Sequence, residues 1–162
     1  ASDKRTMIRT LDENDMELIK TAYFWRDEYP YWFRESMAAL GEPEWPEWWE
    51  QTKNCLNFGI FDEEMVGMIS LVPLGAGRVT AHINVKRGTD PEKLAYGAFC
   101  VRDWLFKNGI KEIFAWVASV NRGMKTLCRQ AGLQFDTVTM IKGTMRNKLV
   151  TWERFSARSE EV

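Results

Sequence analysis

The sequence has 162 residues, of which 45% are hydrophobic and 28% are charged, and its formal net charge is −1. This length and composition are typical of one globular domain with a substantial core. The nearly neutral balance removes the general electrostatic argument for nucleic-acid binding, and no apolar run approaches the roughly 20 residues that span a bilayer. We therefore expect neither nucleic acid nor a membrane as a partner.

Cysteine and histidine are too few and too scattered to predict a disulfide framework or a metal site. Cys55, Cys100 and Cys128 are odd in number and form no CxxC pair. His82 is the only histidine, which argues against zinc. The sequence also starts without the hydrophobic stretch of a signal peptide. Scattered free cysteines and this polar start favour a reducing, cytoplasmic location.

The N-terminal third is predicted to hold one strand followed by three helical segments. The alternation in TMIRTL favours a strand, and Asp12 or Asn14 can cap the helix that follows. Pro30 interrupts that helix, a second one stops at Gly41, and a proline favours a short third one. The predicted elements are a strand at 6–11 and helical segments at 12–25, 31–40 and 42–54.

The central region is predicted to form three antiparallel strands and then a helix. Two β-rich apolar runs within 55–74 flank a turn at 62–64. The Gly-Ala-Gly segment at 75–77 makes a second turn, which leads into a strand at 78–85. A helix opens near Asp90, where a capping residue precedes a proline.

The C-terminal third is predicted to alternate strand, helix and two strands. The apolar run at 111–119 is typical of a strand covered on both faces. Asn121 caps the next helix, which Gly132 terminates. The last predicted elements are strands at 133–143 and 148–156, joined near Arg146–Asn147, and a frayed tail at 157–162. This order predicts one α/β (α+β) domain over 1–162 with a single sheet.

Residues 121–133 resemble a segment of the GNAT superfamily of acyl-CoA-dependent N-acetyltransferases. Asn121, the helical spacing and Gly132 are retained, whereas Cys128 stands at the family's tyrosine and Leu133 at its phenylalanine. The order of predicted elements also matches the superfamily over nearly the whole chain. The resemblance implies a mixed, mostly antiparallel central sheet with a splayed parallel strand pair and helices on both faces.

The resemblance implies acetyl-CoA as the co-substrate. In the family the pantetheine arm pairs with the open edge of a splayed strand, here the strand at 78–85 beside that at 111–119. The pyrophosphate lies on backbone N–H groups at the start of the following helix. The cofactor-binding candidates that follow from the resemblance are Ile83, Asn84, Val85, Arg87, Gly88, Lys93, Ala95 and Asn121.

The phosphate loop departs most from the family pattern, which is Arg/Gln-x-x-Gly-x-Gly/Ala. One alignment sets Asp90, Lys93 and Ala95 at the Arg, first Gly and Gly/Ala positions. Asp90 and Glu92 add negative charge where an anion would bind, and Pro91 lacks an N–H donor. The loop is therefore predicted to be a good helix cap and a poor phosphate cradle, which weakens the binding of acyl-CoA.

Two residues are candidates for the chemistry, and each has a structural alternative. His82 lies on the splayed strand and can act as the general base that deprotonates an amine; the alternative is a strand histidine with a satisfied hydrogen bond. Cys128 can act as a weak acid towards the leaving thiolate; the alternative is a small apolar core residue. Tyr96 is a lesser candidate for the acid.

Two functions follow from these observations. The first is an N-acyltransferase that moves an acetyl group from acetyl-CoA to an amine of a small molecule or protein. The second is a catalytically inactive GNAT-fold protein that binds a protein partner through Trp45, Trp48 and Trp49. The second resembles GNAT-like proteins of tailed bacteriophages, which implies an assembly role and a virion-associated location. A homodimer is compatible with both, and a different sheet order would indicate an unrelated α+β binding module.

Overall fold

The computed structural model describes residues 6–142 and 149–160, which form a seven-stranded sheet covered by helices. The strands are β1 (Thr6–Leu11), β2 (Leu56–Asp62), β3 (Glu64–Gly75), β4 (Arg78–Val85), β5 (Glu112–Ala118), β6 (Gln134–Lys142) and β7 (Leu149–Arg158). The helices are α1 (Met16–Phe24), α2 (Tyr31–Ala39), α3 (Trp45–Thr52), α4 (Pro91–Lys107) and α5 (Arg122–Gln130). Short 3-10 turns at Glu13–Asp15 and Trp25–Glu28 precede and follow α1.

The predicted order of elements is confirmed, and the main difference lies at the C-terminal end. Ala157 and Arg158 continue β7 and pair with Ile113 and Glu112 of β5. The expectation of a frayed tail is therefore wrong for these two residues, because their backbone completes the β5–β7 ladder. The predicted junction near Arg146–Asn147 lies outside the described residues.

Side-chain caps fix where three helical segments begin. The carboxylate of Asp12 accepts the N–H of Asn14 at 2.8 Å, Asp90 accepts that of Glu92 at 3.0 Å, and the Asn121 amide oxygen accepts that of Met124 at 3.1 Å. Each cap satisfies a helix N–H group that has no partner within the helix. In the part of the chain that is described, none of the helices has the length and apolar character needed to cross a membrane.

The sheet opens between its two central strands. Its strand order is β1-β2-β3-β4-β5-β7-β6, and the β4–β5 pair is parallel while the other pairs are antiparallel. Parallel pairing covers only Arg78–Thr80 with Glu112–Phe114, although β4 continues to Val85 and β5 to Ala118. The two strands therefore diverge beyond these pairs. The expected mixed, mostly antiparallel fold is confirmed.

Helices cover both faces of the sheet. On one face α4 and α5 bury the main core, which includes the fully buried Phe155 and Ile60. On the other face α1 and α3 pack over β1 and β3 around Ile19 and Met68. The α2 helix packs over the far side of the opening, where Met37 meets Ala118 and Trp152. The opening is thus bordered by α5 on one side and by α2 on the other.

The α4 helix packs tightly against Ile60 of the sheet at Gly97. A Cβ atom at this position would lie 2.6 Å from Cδ1 and 2.8 Å from Cγ1 of Ile60. We expect Gly97→Ala to destabilise the protein, because overpacking costs about 1–3 kcal/mol against a helix-propensity gain of about 1 kcal/mol. Urea denaturation of the variant and the wild-type protein measures the difference in the free energy of unfolding.

Gly123→Ala is the matched control. Gly123 also lies in a helix, and the nearest atom to an added Cβ is the Asn121 amide oxygen at 4.0 Å. Only the propensity gain applies there, so this variant is expected to be at least as stable as the wild-type protein. Equal stabilisation by both substitutions would mean that the contact between Gly97 and Ile60 is not tight.

Candidate active site

The diverging strands leave a row of backbone groups on β4 without a strand partner. The N–H of Lys86 donates to Val66 O of β3 at 2.9 Å, so Lys86 faces β3. Backbone direction alternates along a strand, which turns Val85 and Ile83 towards the opening. The Tyr29 hydroxyl donates to Val85 O at 2.9 Å from that side. The N–H and C=O of Ile83 and the N–H of Val85 therefore face the opening.

A cavity of about 420 Å³ follows this open edge from His82 to the start of α4. Its walls are the segment from α1 to α2, the end of β4 with the loop that follows, the start of α4, and one side of α5. The lining residues include Trp25, Tyr29, Phe33, Ile83, Val85, Arg87, Gly88, Asn121, Met124 and Leu127. Burial raises the pKa of the Tyr29 phenol, so this hydroxyl stays protonated as the donor to Val85.

The structure brings most of the predicted cofactor-binding residues to this cavity. The candidates that line it are Ile83, Asn84, Val85, Arg87, Gly88 and Asn121. Lys93 and Ala95 do not line it, although Leu94 between them does. The Lys93 ammonium pairs with Asp62 of β2, and Ala95 packs against the main core. Asn84 also holds α1 in place, since its amide donates to Ala22 O at 3.1 Å.

At the end of the cavity near α4, basic side chains lie beside a helix N-terminus that the Asp90 carboxylate already caps. Lys86 and Arg87 line this end; Lys86 pairs with Glu64, and Arg87 Nη1 donates to Glu28 O at 2.6 Å. Gly88 has φ +86, which allows the chain to turn sharply into the helix. The Asp90 carboxylate already accepts a helix N–H, so an incoming anion would meet a negative charge there.

A second cavity of about 130 Å³ lies on the other side of the open edge. Six residues line both cavities: Phe33, Met37, His82, Ile83, Asn121 and Met124. His82 therefore lies at the junction, where groups held in the two cavities would meet. In the strand register it stands opposite Ser70 of β3, whose buried hydroxyl has no hydrogen-bond partner within the described residues.

The Cys128 thiol is buried in the structure. Its side chain is 7% exposed, belongs to the main core and lines the second cavity. Burial raises its pKa to about 11, which keeps the thiol protonated at neutral pH and makes it a weak proton donor. A small apolar residue that packs in the core is enough to explain a cysteine at this position. The role of Cys128 as the acid towards the leaving thiolate stays a prediction. Tyr96 is 39% exposed on α4 and lines neither cavity.

Sequence patterns did not indicate several residues of the site. Tyr29 reaches Val85 across 56 residues of sequence, and Phe33 and Met37 enter because α2 crosses the opening. Lys86 carries no signal beyond its position next to Arg87. Tyr29, Phe33 and Met37 all fall within 23–37, the aromatic segment that the GNAT resemblance places on the acceptor side. No sequence pattern singled them out within that segment.

The predicted partner surface of Trp45, Trp48 and Trp49 is wrong at Trp48. Trp48 is 5% exposed and packs on Tyr23, with ring centroids 5.1 Å apart. It is therefore part of the core and is not available to a partner. Trp45 and Trp49 are half-buried and stack on each other at 5.8 Å, so only these two keep exposed surface.

Comparisons by structure place the fold among N-acetyltransferases. An N-acetyltransferase from Staphylococcus aureus is 15% identical with a TM-score of 0.71, covering 94% of this chain and 97% of its own. The yncA protein of Salmonella typhimurium, solved with its cofactor acetyl-CoA, is 13% identical with a TM-score of 0.67, covering 98% and 96%. A spermidine/spermine N-acetyltransferase from Vibrio cholerae is 17% identical with a TM-score of 0.67, covering 99% and 96%.

These likenesses establish the fold, whereas the sequence itself gives no family match. No protein-family model matches the chain, and no curated protein matches it significantly. The fold implied by the GNAT resemblance is thus confirmed by three-dimensional similarity at 13–17% identity. The activity has to be argued from the site.

The raised pKa of Cys128 predicts a specific loss of stability at alkaline pH. The folded protein favours the neutral thiol, so this stabilisation is complete below the ordinary thiol pKa of 9.0 and is lost as pH rises towards about 11. The two-unit difference corresponds to about 2–3 kcal/mol. The free energy of unfolding, measured between pH 8 and 11, should therefore fall less with rising pH in Cys128→Ala than in the wild-type protein.

Cys55→Ala serves as the comparison, because Cys55 is a half-buried thiol outside the site. Cys55→Ala should change the pH dependence of the free energy of unfolding less than Cys128→Ala does. Identical pH dependence in the wild-type protein and Cys128→Ala would contradict the burial of this thiol.

Proposed function

We propose that the protein transfers an acetyl group from acetyl-CoA to a primary amine. The observation that carries the proposal is the open edge of β4, which runs along the 420 Å³ cavity and meets the second cavity at His82. A second support is the shared fold with a protein solved with acetyl-CoA. The fold relatives include one named for spermidine and spermine, which are amines.

The open edge suits the pantetheine arm. Its amide groups can pair with the N–H and C=O of Ile83, in the manner of an added strand. The sulfur end then lies towards His82 and Asn121, and the phosphate end towards Lys86 and Arg87. A main-chain N–H within Ile83–Val85 can polarise the thioester carbonyl as negative charge develops on its oxygen.

The position of His82 suits a general base. The amine nitrogen forms a bond to the acetyl carbon, the C–S bond breaks, and the electron pair leaves with the sulfur of coenzyme A. The proton that the nitrogen loses passes to the His82 imidazole, directly or through water. The described residues that line the junction include no carboxylate to take this proton instead.

Replacing His82 tests this role. We expect His82→Gln to lower kcat by a factor of about 10²–10⁴, because proton removal is lost, and to leave the Kd of acetyl-CoA nearly unchanged. Release of the free thiol measures kcat, and calorimetry measures Kd. A variant with unchanged kcat would exclude His82 as the base while leaving transfer itself intact.

Removing the negative charge of the Asp90 cap should strengthen the binding of coenzyme A. Asn is as good an N-cap as Asp, so Asp90→Asn keeps the helix start and removes the charge. We expect coenzyme A to bind about two- to fivefold more tightly, in keeping with the strength of a charge at a helix terminus. Calorimetry with coenzyme A measures this change.

Pantetheine, which has no phosphate, provides the control ligand. Its affinity should be the same for Asp90→Asn and the wild-type protein. Equal improvement for both ligands, or none for coenzyme A, would show that the phosphates do not approach Asp90.

A non-catalytic binding or assembly component is the second candidate, and the occupied α4 terminus favours it. In that case acetyl-CoA gives no heat at high concentration, and the exposed parts of Trp45 and Trp49 are the surface for a protein partner. Substituting these two residues would then impair partner capture. We further propose a cytoplasmic location for the transferase, a virion-associated location for the assembly component, and a homodimer for either.

A further inference from the structure

The wall of the second cavity is uncharged. Among the described residues that line it there is no Asp, Glu, Lys or Arg, and the surface is made mainly by Met37, Leu40, Ala115, Trp116, Val117 and Trp152. His82 and Asn121, at the junction with the larger cavity, supply polar groups. Ser36, Thr80 and the indole N–H of Trp152, which has no hydrogen-bond partner within the described residues, add neutral polar groups to this otherwise apolar and aromatic wall.

Two carboxylates that lie next to lining residues in the sequence do not themselves line the cavity. Glu153 follows Trp152 in β7, and its carboxylate pairs with Lys125 at 3.0 Å, outside the cavity lining. Glu35 is on α2 between lining residues but is not one of them. An ammonium group inside this cavity would therefore lose its hydration without gaining a charged partner.

The volume sets the size of the group that fits. A cavity of about 150 Å³ holds a benzene molecule, and this one measures about 130 Å³. One aromatic ring or a chain of about five carbons fills such a space. A longer chain would extend beyond the cavity.

We infer that the acceptor is a small primary amine whose remaining body is apolar, uncharged and the size of one ring or a short carbon chain. This inference rests on the proposed transferase function and names its substrate class. The amino nitrogen lies at His82 and the body lies between α2 and β5. The apolar wall also favours the neutral amine over the ammonium, which is the form that attacks the thioester carbon.

A matched pair of ligands tests the inference without requiring turnover. Pentylamine and cadaverine have the same five-carbon chain and differ by one terminal ammonium. Calorimetry on the full chain without acetyl-CoA is expected to show binding of pentylamine at least tenfold tighter than that of cadaverine. Benzylamine, whose body is a single ring, should bind at least as tightly as pentylamine, because Trp116 and Trp152 provide aromatic contact.

A carboxylate at the cavity rim should reverse this preference. Leu40 lines the cavity and is 42% exposed, so Leu40→Glu is compatible with folding. We expect it to tighten cadaverine binding at least fivefold and to leave pentylamine within twofold of its wild-type value. Leu40→Gln has the same size without the charge and should not tighten cadaverine binding.

The outcomes separate this inference from the proposed function. Equal binding of pentylamine and cadaverine, or no binding of pentylamine at millimolar concentration, overturns the inference. Acetyl-CoA titrated in a parallel experiment decides the transferase proposal by itself. If acetyl-CoA binds and cadaverine is acetylated as efficiently as pentylamine, the transferase proposal stands and the substrate class is wrong.

Discussion

The divergence of β4 from β5 is the constraint on which the rest of the site depends. Each strand is held by its outer neighbour over its full length, β4 by β3 and β5 by β7, so neither can turn to close the gap. Beyond Thr80 and Phe114, the backbone groups that β4 and β5 direct towards each other then have no partner on the opposite strand. Such groups are costly when they are enclosed without a hydrogen bond, and here they face a cavity. Tyr29 satisfies one of them at Val85.

The two ends of the open edge have opposite chemical characters. Near α4 the cavity has basic side chains, but these already contact Glu64 and the carbonyl of Glu28, and Asp90 occupies the helix terminus. Beyond His82 the wall is apolar and aromatic. The first end stabilises the α4 helix at the expense of anion binding, and the second offers contact to an uncharged group. The apolar end of the open edge is thus free to contact a group, whereas the basic side chains at the other end already have partners within the protein.

The sequence predicted the elements well because their signals are local. The bounds of β4 matched those predicted, since glycines at 75–77 set its start, and Asn121 and Asp90 cap their helices as expected. The failures involve position in space. Lys93 was assigned to the phosphate site, but the phase of α4 on the sheet turns it to Asp62. Trp48 was assigned to an exposed surface, but α3 turns it inward. These orientations depend on how a helix rotates against the sheet, which local patterns do not determine.

The contact between Gly97 and Ile60 has a consequence for how this chain can change over generations. The two residues are far apart in sequence, yet the space for a side chain at one is set by the branches of the other. A larger residue on α4 becomes acceptable only after β2 has lost volume, so the order of the two substitutions matters. Divergent descendants would be expected to alter the two positions together or to keep both.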